Sequence, residues 1–220
     1  MRETRPVSTV YSRKMLLYAI TSRQLLPGGE VERQAALVEL ARKWAHGGVD
    51  YIQVREKDLP QPDLLALTRQ IIGAVRSESI HTRILLNGAA ETALAAGADG
   101  VHLPGNSPPD ALDAARVIYR RAGIEPVVSL ACHSVEDVRT ARDVSLLLYA
   151  PVFEKTDPGD TPLPGQGLAA LSEACRAAGQ VPVLAMGGVT HDNAAACIAA
   201  GAAGIAAIRL FLSEDWRSLR

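Results

Sequence analysis

The chain has 220 residues, 48% of them hydrophobic and 21% charged, which suits one soluble globular domain with a substantial core rather than a disordered or membrane chain. Its 23 basic residues nearly cancel its 24 acidic ones, so there is no positive excess of the kind that binds nucleic acid or an anionic membrane. Cys132, Cys175 and Cys197 are sparse and lack metal-type spacing, which fits a reducing cytoplasm and small buried hydrophobes rather than a disulfide framework.

Residues 1–14 read as an N-terminal extension, and 15–220 as the folded domain. The first apolar run, "MLLYAI" from Met15, is too short for a signal segment, and no stretch approaches the ~20 apolar residues that span a bilayer. Leu37, Leu40, Ala41 and Trp44 then fall at helical spacing. "YIQV" from Tyr51 is the second strand-like run. After "PQPD", where Asp63 can cap a helix, Leu64, Leu67, Ile71 and Val75 repeat the helical pattern. "RILL" from Arg83 and "GVHL" from Gly100 flank an alanine-rich helix at 89–96. "VVSLA" from Val127, "LLLYA" from Leu146, "VPVLAM" from Val181 and "GIAAI" from Gly204 complete the series, with another alanine-rich helix at 192–200.

Eight short, continuously apolar runs are what strands buried on both faces look like. The alternation predicts a single-domain (β/α)8 barrel; a doubly wound dinucleotide fold would need a G-x-G-x-x-G turn that "AITSRQLLPGG" does not contain.

In such a barrel, chemistry belongs at the C-terminal strand ends. "QVREK" puts Gln53, Arg55 and Lys57 on alternate positions, hence on one face, as a donor-rich site for phosphate or carboxylate; alternatively Arg55 and Lys57 pair with Glu56 and Asp58 on a solvated rim. Asn87 ends the third strand and either orients a ring or holds the turn with Gly88. Gly187 and Gly188 precede a helix start and suit a phosphate cradle, although many strand–helix turns need glycine. Arg209, beside Ile208 after strand 8, either adds charge to that phosphate or begins an exposed last helix. His102 reads as a core or supporting histidine, and His191 as part of a helix N-terminus. His133, in "CHSVEDV", stands where strand 5 gives way to a helix, as a proton-transfer group or as a cap, a role Ser134 fills unaided.

"YIQVREK", "GADGVHLP", "CHSVEDV", "APVFEKT" and "VLAMGGV", in this order over roughly residues 15–212, resemble the thiamine-phosphate synthase/TenI group of small barrels. The synthase branch joins a pyrimidine pyrophosphate to a thiazole phosphate with Mg²⁺. Its usual Asn-Asp after strand 3 is Asn87-Gly88 here, and its Gly-Gln-Glu-Asp turn is Pro104-Gly105-Asn106-Ser107. Its Thr-Pro-Thr-Lys loop is replaced by Lys155-Thr156-Asp157-Pro158. Two lost carboxylates matter, because a hard dication needs anionic oxygens.

"LNG", "HLP", "CHS" and "GQGL" (Gly165 to Leu168) agree instead with the TenI branch, which includes thiazole tautomerases. That resemblance implies an isomerase needing neither metal nor cofactor and acting on a small phosphorylated heterocycle. His133 would be the general acid/base and Gly165, Gly187, Gly188, Ile208 and Arg209 the phosphate region. Arg55 and Lys57 would meet the substrate carboxylate, with Gln53 and Asn87 orienting. Two alternatives stand beside it: a divergent synthase recruiting metal through Asp99, Asp110 or Glu154, and a barrel that binds ligand without turnover. Apolar helix faces serve a core or a homo-oligomer contact equally well.

Overall fold

The computed structural model describes residues 14–154 and 163–219. Of the expected extension, residues 1–13 lie outside the described residues, as does the altered loop Lys155–Pro158. Eight parallel strands close into a barrel in chain order: β1 (Leu16–Ile20), β2 (Tyr51–Val54), β3 (Arg83–Leu86), β4 (Gly100–Leu103), β5 (Val127–Cys132), β6 (Leu146–Tyr149), β7 (Val183–Met186) and β8 (Gly204–Ala207). The ring shuts through β1 and β8, with Leu16 opposite Gly204. Among the described residues seven helices wrap it: α1 (Glu30–His46), α2 (Gln61–Glu78), α3 (Ala90–Ala96), α4 (Ala111–Arg121), α5 (Val135–Thr140), α6 (Gly167–Ala177) and α7 (His191–Ala199). The eighth strand is followed by two 3₁₀ turns, Arg209–Leu212 and Asp215–Leu219, where a last helix was expected.

The period-2 alternation of the strands divides the apolar residues into two bodies. Tyr18, Ile20, Leu85, Leu146, Leu148, Leu184 and Ala206 pack inside the barrel. Between sheet and helices lies a larger body that includes Leu37, Trp44, Leu67, Ile71, Val101, Leu171 and Phe211. Trp44 closes it at the C-terminal turns, its indole N–H donating to the Phe211 carbonyl at 2.8 Å. No helix among the described residues is long and apolar enough to cross a membrane.

One local expectation is corrected. Asp63 does not cap α2: the helix starts at Gln61 with Pro60 in the capping position and no side-chain cap, leaving Asp63 in the first turn. Proline is tolerated there because the first helical turn leaves its N–H groups unbonded anyway, and an acid in that turn still complements the helix dipole.

Candidate functional site

The C-terminal ends of the strands bring most of the expected residues to one mouth. Gln53 points into the barrel from β2 and is 1% exposed, yet neither its amide oxygen nor its amide nitrogen has a hydrogen-bond partner among the described residues. A buried amide left unpaired costs about 1–3 kcal/mol, so it marks a place where a ligand or water completes the site. Arg55 follows two residues on and is half-buried, and Lys57 is exposed. Neither forms an ion pair with another described residue. Glu56 and Asp58, on the opposite alternation, are held by Arg23. The rim pairing considered from the sequence is therefore not what forms. Asn87 is half-buried just above β3, with its backbone N–H bonded to the Val54 carbonyl at 2.9 Å.

His102 lies beneath this mouth, buried, its Nδ1 2.8 Å from Ser129 Oγ, which is 3.0 Å from the Tyr18 hydroxyl. β1 and β5 are on opposite sides of the ring, so this bond crosses the lumen. Tyr18 is fully buried and Ser129 is its one hydrogen-bond partner among the described residues, so the arrangement that leaves no buried hydroxyl proton unbonded has the Tyr18 O–H donating to Ser129. Ser129 then donates to His102 Nδ1, which leaves the proton of the neutral ring on Nε2. Burial first, and then the positive charge of Arg55 and Lys57, push the His102 pKa down to about 3. The mouth cations thus act on the floor beneath them.

His133 is exposed at the end of β5, and Ser134, not His133, caps α5, accepting from the Asp137 N–H at 3.0 Å. The His133 Nδ1–H donates to the Ala150 carbonyl at 3.0 Å, and a carbonyl can only accept, so in the neutral ring the lone pair is on Nε2. The same carbonyl accepts from the Gln166 amide at 3.1 Å, and Gln166 in turn accepts from the Tyr149 hydroxyl at 2.6 Å. The ring lies against Gly105, where a Cβ would come within 2.8 Å of it.

The glycines are required by packing as well as by any ligand. Gly187 and Gly188 have φ of +86° and +64°, and a Cβ would meet Pro151 Cα at 2.7 Å and the Glu154 carbonyl at 2.6 Å respectively. At Gly165 a Cβ would be 2.5 Å from the Phe153 backbone. Thr190 and Asn193 form a reciprocal capping box at the start of α7, of which His191 is the first residue. Ile208 is half-buried against the lumen cluster, and Arg209 is exposed at the first 3₁₀ turn.

The donors among the described residues do not build a magnesium site. No group of three or more His, Cys, Asp or Glu residues that could hold a metal occurs among the described residues. Asp99 precedes β4 at the opposite end of the barrel, bonded to Arg76 at 2.6 Å, Arg83 at 3.0 Å and the Ile84 N–H at 2.7 Å, and so is structural. Asp110 lies at the start of α4, and Glu154 is a lone exposed carboxylate beside the mouth.

Sequence reading missed Arg23, Ser129 and Tyr18. A signal for Arg23 existed, since "TSRQ" is a polar segment at the end of a strand like the others that were read. Ser129 and Tyr18 sat inside apolar runs with nothing to mark them.

Residues 17–211 match the family model described as thiamine monophosphate synthase. The thiamine-phosphate synthase of Methanoculleus marisnigri is 37% identical over 202 residues, covering 90% of this chain and 88% of that protein. That of Anaeromyxobacter dehalogenans is 37% identical over 177 residues, 80% of this chain and 75% of its own. Among solved structures, thiamine phosphate pyrophosphorylase from Pyrococcus furiosus is 27% identical with a TM-score of 0.72, covering 94% of this chain and 92% of that one. These relatives carry the name of a transferase, which overturns the isomerase class expected from "LNG", "HLP", "CHS" and "GQGL". Of those motifs, "GQGL" holds a glycine that packing against the Phe153 backbone requires at Gly165, so it reports a close backbone approach rather than one chemistry.

Proposed function

The chain belongs to the thiamine monophosphate synthase family, and from that premise we propose that it is a transferase of the kind its relatives are named for, joining a pyrimidine pyrophosphate to a thiazole phosphate at the barrel mouth. One observation carries the reading: Arg55 and Lys57 have no carboxylate partner among the described residues and stand over the buried, unpaired Gln53 amide. That combination suits a ring with a polar edge below and a polyphosphate above.

In the joining reaction the bond from the pyrimidine methylene carbon to oxygen breaks, its electron pair leaving with pyrophosphate. The thiazole nitrogen lone pair forms the new C–N bond. Negative charge grows on the departing oxygen, and a guanidinium and an ammonium held beside it stabilise that charge. Gln53 and Asn87 would orient the pyrimidine, and His133 Nε2 would accept a hydrogen bond from a substrate. The backbone at Gly165, Gly187, Gly188 and Ile208, with Arg209, would hold the thiazole phosphate.

The test incubates the protein with both substrates, with and without Mg²⁺, and follows pyrophosphate release and the joined product. Condensation that falls by about 10²-fold or more in Arg55→Ala supports the proposal. A second reading, a barrel that binds these ligands without joining them, is favoured by the missing carboxylates at Asn87-Gly88 and Pro104–Ser107. Binding of both ligands with no product at any Mg²⁺ concentration would select it.

A further inference from the structure

Arg55, Glu56, Lys57 and Asp58 place four charges of alternating sign on consecutive residues. Left to themselves, such neighbours neutralise one another. Glu56 sharpens the problem because its side chain is 2% exposed, and a buried carboxylate needs a cation. The cations nearest in sequence are Arg55 and Lys57.

Arg23 supplies that cation from elsewhere. It stands in the 3₁₀ turn Arg23–Leu25 after β1, its side chain 4% exposed. One terminal nitrogen donates to Glu56 at 3.0 Å and to Asp58 at 2.7 Å, the other to Asp58 at 2.5 Å, and Nε to Glu30 at 2.7 Å. Its backbone N–H reaches both Glu56 oxygens at 3.2 Å. Three carboxylates converge on one group, which only the five-donor fork of a guanidinium can serve. Asp58 is held well below the ordinary carboxylate range by this contact. A second anchor fixes the same strand end: the Arg55 N–H donates to Thr21 Oγ1 at 2.9 Å.

We propose that Arg23 is a positioning residue that sequesters Glu56 and Asp58, so that Arg55 and Lys57 remain unpaired and available to an anionic ligand. This rests on the reading of the mouth as a polyphosphate site. Arg23 touches no ligand itself; it decides which partner the charges of the β2 strand end take.

The probe is inorganic pyrophosphate, titrated calorimetrically into the full chain. Arg23→Met should weaken binding by about tenfold, as Glu56 captures a mouth cation. Adding Glu56→Gln and Asp58→Asn to Arg23→Met should restore affinity to within about threefold of wild type, because nothing then competes for Arg55 and Lys57. Arg23→Lys, which keeps the charge and loses the fork, should fall between. A triple variant as weak as Arg23→Met would show that Arg23 only builds the loop, and would overturn the proposal. So would an Arg23→Met or Arg23→Lys that binds as wild type does. If Arg23→Met fails to fold, Arg23→Lys and the triple variant decide. A wild type that binds no pyrophosphate overturns the mouth reading and this proposal together, whereas binding insensitive to Arg23 overturns this proposal alone.

Discussion

Acidification should destabilise this protein through one side chain, His102. Buried in the lumen below Arg55 and Lys57, its pKa is pushed down from 6.5 to about 3, whereas in the unfolded chain it titrates normally. Between those values the unfolded state takes up a proton that the native state refuses, so stability is fully present above pH 6.5 and is lost as pH falls toward 3. Integrating the linkage from pH 6.5 to 4.5 for one such group amounts to about 2 kcal/mol. The assay is urea unfolding of wild type and His102→Gln at both pH values. The variant retains a group that can bond Ser129 but has nothing to titrate, so the difference between the two losses isolates His102. Wild type should lose about 2 kcal/mol more than the variant over this interval. Equal losses would refute the buried, cation-facing histidine. In ¹⁵N spectra the ring should show its proton on Nε2 and no titration down to pH 4.5; an Nδ1–H ring would refute the direction assigned to the Tyr18–Ser129–His102 chain.

Other perturbations reach different parts of the structure. Ser129→Ala removes the partner of both the Tyr18 hydroxyl and His102 Nδ1, and should cost about 2 kcal/mol in denaturant unfolding. Gly188→Ala forces a side chain into φ +64° with its Cβ 2.6 Å from the Glu154 carbonyl, and should cost at least about 1 kcal/mol by the same measurement. Trp44→Phe gives up the bond to the Phe211 carbonyl while keeping most of the ring, with a loss of about 1 kcal/mol and a fall in the midpoint of thermal unfolding. Lys57→Ala should weaken pyrophosphate binding by several-fold, and by less as salt rises, because the exposed ammonium acts through a screened field.

The barrel was legible because its strands are buried on both faces. "YIQV", "RILL" and "GVHL" mark β2, β3 and β4 residue for residue, since most positions of a strand between lumen and helices are buried and apolar, with one polar side chain in each. The runs that mark β1 and β7 start one and two residues early, at Met15 and at Val181-Pro182, where apolar side chains precede the strand itself. The final helix was not legible as 3₁₀, because Leu210, Phe211 and Trp216 are apolar at a spacing that serves either geometry.

At the site, alternation along one short strand was enough to put Gln53 in the lumen and Arg55 above it, because side chains on a strand can face only two ways. Which partners those charges take was beyond reach of the sequence. Arg23 lies 33 residues before Glu56, and Tyr18 lies 111 residues before Ser129; only closure of the barrel brings either pair together. Local periodicity is set by neighbours a few residues apart, so the chain alone determined eight buried strands, their order and the polar character of their ends. Ion pairing and hydrogen-bond direction depend on which distant groups share a desolvated space, and the tertiary structure decided that the cations following β2 are left without a carboxylate among the described residues while the histidine of β4 is held neutral beneath them.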